Sequence, residues 1–214
     1  MRTNYDRQLK KLNDEMVEMG SMIEGVIEKA IKALVNQDVD LAQEVIHRDD
    51  QIDQQEKDIE SLCFKLLLME QPVATDLRQV SSALKMVTDM ERIGDQASDI
   101  AEIIGFLNGR IGTDAQYICQ MAVAAMRMVT ESVEAYVKRD VAMAEATIQH
   151  DDVVDDLFLK VKESLIQMIS ENPKDGEYAL DLLMIAKYFE RIGDHATNIA
   201  EWVVFSVTGV HEQG

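Results

Sequence analysis

One pentapeptide occurs twice in this chain. Glu91-Arg92-Ile93-Gly94-Asp95 returns as Glu190-Arg191-Ile192-Gly193-Asp194, 99 residues later. The match runs on through Ala97, Ile100, Ala101 and Glu102, paired with Ala196, Ile199, Ala200 and Glu201, so that nine of twelve positions are identical. Upstream, Asp38-Val39, Ala42, Ile46, Asp49-Asp50 and Asp53 match Asp140-Val141, Ala144, Ile148, Asp151-Asp152 and Asp155 at an offset of 102, and Glu70-Gln71-Pro72 matches Glu171-Asn172-Pro173 at 101. The shrinking offset places small deletions near the proline turn of the second copy. Self-similarity on this scale restricts the fold to two copies of one unit of roughly 100 residues.

That unit is helical. Two prolines and ten glycines interrupt 214 residues, and the 47% hydrophobic content is mostly aliphatic, with 5% aromatic. Such a composition favours helices over sandwiches or barrels. Leu9, Leu12, Met16, Met19, Ile23, Val26, Ala30 and Ala33 step by threes and fours, which predicts a helix over 5–36. Asp38 is placed to cap a second helix, which carries Leu41, Val45, Ile52, Ile59, Leu62 and Leu66 and stops near Gln71-Pro72. A third runs over 74–108, and the second copy repeats the pattern over 113–138, 140–171 and 176–207. Long helices with short connections pack antiparallel. The expected fold is all-α: two tandem three-helix bundles, six long antiparallel helices, with internal pseudo-two-fold symmetry. The expected units are residues 1–109 and 112–208, joined near Gly109–Gly112 and followed by a short tail, 209–214. The methionines at core spacing read as gap fillers in the seam.

No apolar run approaches the ~18 residues needed to cross a bilayer, and residues 1–16 lack the apolar core of a signal peptide. Cys63 and Cys119 each lie among apolar neighbours, which reads as two buried free thiols rather than a disulfide. The chain is therefore expected in the cytoplasm. A net charge of −19 excludes nucleic acid and anionic membrane surfaces as partners and suits cations or basic protein surfaces.

The acids are arranged. With Glu91 at zero and about 100° per residue, Asp95, Asp99 and Glu102 fall within about 80°, opposite Met86, Met90, Ile93, Ala97 and Ile100. Glu190, Asp194, Asn198 and Glu201 repeat that stripe. On the second helix Asp49, Asp53, Glu56 and Glu60 share a face beside the seam. In its counterpart Asp151 and Asp155 remain, but Phe158 and Lys162 replace the later acids. Outward acids are commonly no more than solvated. Like charges at i and i+4, however, cost about 0.2–0.5 kcal/mol per pair, and both copies retain them. A bound cation would turn that repulsion into binding, and carboxylates suit Fe, Mn, Mg, Ca or Zn. His195 is a weaker candidate ligand, since its angle lies off the stripe; a packed or solvent-facing role is the alternative. Arg92 is placed to pair with Asp89. Gly94 and Gly193, mid-helix at a cost of about 1 kcal/mol each, point to close helix–helix approach. No Glu-x-x-His pair, HExxH, P-loop or GxSxG motif is present, so nothing marks an enzyme. The rival reading is a metal-dependent phosphatase or other hydrolase using the surface carboxylates; it lacks a cationic clamp near the stripes.

Asp76-Leu77-Arg78, Leu84-Lys85-Met86, Glu91 to Asp95 with Ala97 and Ile100-Ala101-Glu102, and the second block from Glu190 to Glu201, resemble the PhoU family of phosphate-transport accessory proteins. The resemblance covers essentially the whole chain. It implies two tandem three-helix bundles and a non-enzymatic negative regulator of the phosphate-starvation response. The implied partners are the ATPase subunit of the phosphate ABC transporter and its sensor histidine kinase, through which the protein would sit at the membrane periphery. It also implies a homodimer and surface multinuclear Fe or Zn clusters. The matching positions are Asp49, Asp53, Glu91, Asp95 and Asp99 in the first copy, and Asp151, Asp155, Glu190 and Asp194 in the second. Asn198 stands where the second stripe would carry its last acid, so the second cluster is expected to be the weaker.

Overall fold

The helices follow the order that the repeat predicts, with shifted ends and one break. The computed structural model describes residues 2–68, 73–107, 109–110 and 115–210. Its regular elements are α1 (Arg2–Asn36), α2 (Val39–Leu68), α3 (Ala74–Ile104), α4 (Gln116–Lys138), α5 (Val141–Gln149), α6 (Asp151–Glu171) and α7 (Gly176–Thr208), with a 3-10 turn at Pro173–Asp175. Asp38 accepts the Leu41 N–H at 3.0 Å, and Asp140 accepts the Met143 N–H at 3.0 Å, so one capping device starts the second helix of each copy. Gln37 (φ 52°) and Arg139 (φ 54°) both turn left-handed and end the preceding helices. The 102-residue offset thus holds in the loops as well as the helices.

Three expectations need amendment. The helix expected over 140–171 is interrupted at His150, whose N–H is shared between the Ala146 and Thr147 carbonyls, 3.2 and 3.0 Å away. His150 keeps right-handed angles (φ −70°, ψ −14°), and its Nδ1 lies 2.8 Å from Glu131 Oε2 on α4, so the ladder tightens where the side chain is held. The third helix ends at Ile104, and Gly105 to Leu107 continue as i→i+3 turns. Cys63 is buried, but Cys119 is only half-buried; both are free thiols. The expected stop at Gln71-Pro72, the repeated Glu70, Gly112 of the expected linker and tail residues 211–214 lie outside the described residues.

α1, α2 and α3 pack against one another, as do α4, α5–α6 and α7; between the bundles α3 meets α7 and α1 meets α4. Each interfacial helix therefore meets its own counterpart, the self-complementary contact that two-fold symmetry requires. The α3–α7 pair is antiparallel: Arg78, early in α3, lies against Gly209 just past α7, while Asp89 bonds Asn198 at 3.0 Å and Asp99 bonds Tyr188. These last two contacts are images of each other, since Asp89 corresponds to Tyr188 and Asn198 to Asp99. Met16, Met19, Met86, Met90, Met121, Met128 and Phe189 fill the seams at 1% exposure or less. A small polar network crosses the interface within this apolar core, where Asn13 accepts from Gln79 (3.1 Å) and Tyr136 (2.9 Å).

No described helix is long and apolar enough to cross a membrane.

Candidate metal centre

The two acid stripes of the first copy face each other. Gly94 is why they can: a Cβ there would stand 3.0 Å from both Cδ1 and Cγ2 of Ile52. The missing side chain lets α3 press onto Ile52 of α2, and the carboxylates on either side of that contact converge. Asp49 and Asp53 of α2 and Asp95 of α3 bring one oxygen each within 4.8 Å of the others. Glu91 flanks them, its side chain 15% exposed, and Asp99 and Glu56 are also half-buried. The stripe is thus no convex outer face; it is one wall of a groove.

Crowding shows in the acidities. Burial, then Asp95 and Asp53, push the Asp49 carboxyl up to about 6. Burial and Asp95 push Glu91 up to about 7, against the pull of Arg92. Asp99 and Glu56 are raised too, burial first and neighbouring acids second. Asp49 Oδ1 and Glu91 Oε2 are buried without a hydrogen bond; Glu91 Oε2 has only an ion-pair contact with Arg92 Nε at 3.3 Å. Buried carboxylate oxygens normally find donors. Arg92 braces one edge, donating to Asp95 at 2.8 Å rather than pairing with Asp89, because Asp89 is taken by α7. An all-oxygen donor set with unsatisfied lone pairs fits a hard or borderline cation. Asp49, Asp53 and Asp95 are placed to hold one, with Glu91 and Glu56 alongside.

The α6–α7 groove has the same frame and a different filling. A Cβ on Gly193 would meet Asp151 Oδ1 at 3.1 Å and Val154 Cγ1 at 3.5 Å, the counterpart of the Gly94–Ile52 contact. Asp151 is pushed up to about 6 by burial, then by Asp194, Asp155 and Glu190. Those four acids are therefore neighbours, and Asp151 Oδ1 again lacks a partner. Asp155 and Asp194 are exposed, unlike Asp53 and Asp95. Asp194 is nonetheless raised, by desolvation of its carboxyl first and Glu190 second, with Lys187 pulling it back down. Lys187 pairs with Glu190 and sits over the Phe158 ring, 5.6 Å from its centroid. Asn198 is spent elsewhere, on Asp89, which also accepts from His195 Nδ1 at 2.8 Å.

Sequence reasoning left four contributors out of the site: Glu56, Asp89, Tyr188 and Lys187. Glu56 lay on the stripe already. For Lys187 the available signal was the exchange, Thr88 in one copy for Lys187 in the other. The Asp89 and Tyr188 contacts span the two copies and leave no trace in either helix alone.

Compared with known proteins, the chain matches the PhoU domain twice, over residues 16–104 and 118–203. It is 38% identical to the phosphate-specific transport system accessory protein PhoU homolog of Clostridium acetobutylicum, over 96% of this chain and 94% of that one. Against the homolog from Pseudomonas aeruginosa it is 33% identical over 96% and 86%. The crystal structure of PhoU from Pseudomonas aeruginosa superposes with a TM-score of 0.93, covering 96% of this chain and all (100%) of that one at 33% identity. That of the phosphate transport system regulatory protein PhoU from Streptococcus pneumoniae gives 0.87 at 25% identity, covering 98% and 99%.

Proposed function

The chain belongs to the PhoU family, and on that premise we propose that it is a non-enzymatic regulator of phosphate transport, a metal-binding adaptor in the cytoplasm. Relatives alike over nearly their whole length are named as accessory proteins of the phosphate-specific transport system. The observation that carries the mechanistic part is the α2–α3 groove, where three carboxylates converge from two helices. Asp49, Asp53 and Asp95 hold the cation, an Fe or Zn ion or cluster, with Glu91 and Asp99 at the margins. When bound, the metal supplies positive charge that neutralises and stiffens the groove. Each bundle, taken as residues 1–109 and 112–208, acts as one docking unit. The docking partners are the transporter's ATPase subunit and the sensor histidine kinase, and the protein works as a homodimer to hold the phosphate-starvation response down. Metal and partner are linked because a ligand preferring the docking-competent state shifts the population toward it.

The test is binding of purified protein to the recombinant ATPase subunit of the phosphate transporter, with and without chelator. Chelation and Asp49→Asn/Asp95→Asn should each weaken binding at least tenfold, with the fold intact by circular dichroism. Unchanged affinity in both would end the metal-dependent adaptor reading and leave a plain helical scaffold.

A further inference from the structure

We propose that Lys187 is a built-in cation that takes the metal's place in the second groove, so that the chain loads metal in one groove only. The inference rests on reading the first groove as a metal site, and concerns why its duplicate differs.

Corresponding positions make the case. Asp49, Asp53, Glu91 and Asp95 have exact chemical counterparts in Asp151, Asp155, Glu190 and Asp194, so the second copy kept four carboxylates. Among the positions that differ between the copies, Glu56 corresponds to Phe158 and Thr88 to Lys187. The structure puts these two new side chains on each other, with the Lys187 ammonium 5.6 Å from the Phe158 centroid. An aromatic face attracts a cation and excludes water from one side of it. The same ammonium pairs with Glu190. Thus the first groove has a carboxylate from Glu56, with the exposed Lys57 3.9 Å from Asp53 and Arg92 on Asp95 at its rim, whereas the second has an apolar platform under a tethered positive charge. The exchange removes a donor and supplies a counter-ion in one step.

A geometric consequence agrees. Among the described residues, the convergence of three acidic oxygens within 4.8 Å occurs at Asp49, Asp53 and Asp95 and is not reproduced in the second groove. Asp155 and Asp194 are exposed there, whereas Asp53 and Asp95 are half-buried. Asn198, turned to Asp89 across the bundle interface, supplies no charge to restore the set.

The experiment is equilibrium dialysis of chelator-stripped full-length protein against Mn²⁺, with bound metal measured by mass spectrometry and folding checked by circular dichroism. Asp49→Asn/Asp95→Asn should lose all specific Mn²⁺. Adding Lys187→Thr and Phe158→Glu, the first copy's own residues, should restore binding at least tenfold above that background, now dependent on Glu190 and Asp194. Lys187→Met alone in the blocked background, which keeps an apolar side chain of similar length, should already raise uptake if the double exchange folds poorly. Retained metal in the blocked variant that vanishes on adding Glu190→Gln/Asp194→Asn would overturn the inference, as would no gain from removing Lys187. If wild type binds nothing while Lys187→Thr/Phe158→Glu does, the first-groove reading fails and the role of Lys187 stands. If neither binds, both fall.

Discussion

The α2–α3 and α6–α7 grooves share a backbone frame, a glycine contact and four acids, yet handle crowded negative charge differently. The first concentrates carboxylates from Asp49, Asp53, Glu56, Glu91 and Asp95, with Arg92 at its edge. The second dilutes them with Phe158 and answers Glu190 with Lys187. Symmetry of fold therefore does not carry symmetry of chemistry. A helix position can keep its place in the packing while a charge is lost, as at Phe158, or gained, as at Lys187.

The largest expected effect is metal stabilisation. A ligand at a hundred times its Kd stabilises by about 2.7 kcal/mol. Mn²⁺ or Zn²⁺ should therefore raise the wild-type unfolding midpoint by several degrees. The shift should persist in Glu190→Gln/Asp194→Asn and disappear in Asp49→Asn/Asp53→Asn. Equal loss in both variants would erase the difference between the grooves.

The glycines come next. Gly94→Ala gains about 1 kcal/mol of helix propensity but drives a methyl onto branched Ile52, an overpacking cost of about 1–3 kcal/mol. Gly193→Ala meets a carboxylate oxygen that can rotate aside. Chemical denaturation should show Gly94→Ala destabilised by about 1 kcal/mol and Gly193→Ala close to neutral. The reverse order would contradict the tighter first groove.

The clasp between α3 and α7 offers a comparison of its own. Asp89 accepts from both His195 and Asn198, whereas its image Tyr188 makes one bond to Asp99. Asp89→Ala, which loses two bonds, should cost about 1–2 kcal/mol, and Tyr188→Phe, which loses one, about half of that.

The smallest effect is pH dependence without metal. Asp49 at about 6 and Glu91 at about 7 lie above the ordinary carboxylate range. An acid raised on folding adds stability that is complete below its unfolded value, about pH 4, and is lost as pH rises through the folded value. Metal-free protein should therefore unfold more readily at pH 8 than at pH 5. Asp49→Asn should remove that residue's part of the slope and leave those of Glu91 and of Asp151, the latter also raised to about 6. Metal should bind more tightly as pH climbs through the same window, because it must displace those protons.

Much of this was legible in the sequence. The repeat and the 3.6-residue periodicity point to the helices, their grouping into two three-helix bundles and the two-fold, because burial of an apolar stripe leaves few alternatives. Asp38 reads as a cap, and Gly94 and Gly193 as close contacts. What a single helix could not reveal was what lay opposite. The angle arithmetic set Glu91 and Asp95 away from the main seam, but only the α2 contact turned that face into a groove wall. Spacing alone pairs Arg92 with Asp89, while Asp89 is held by α7, 106 residues away at His195. The break at His150 depends on Glu131 of α4, a partner that no local pattern names.

If one groove of the pair holds metal, metal content per chain reports it. Wild type, Glu91→Ala/Asp95→Ala and Glu190→Ala/Asp194→Ala should be purified alike from metal-supplemented cells and assayed for bound Fe, Zn and Mn per chain. Metal should be lost in the first variant and kept at the wild-type level in the second. Equal metal in all three, or equal loss in both variants, would contradict it.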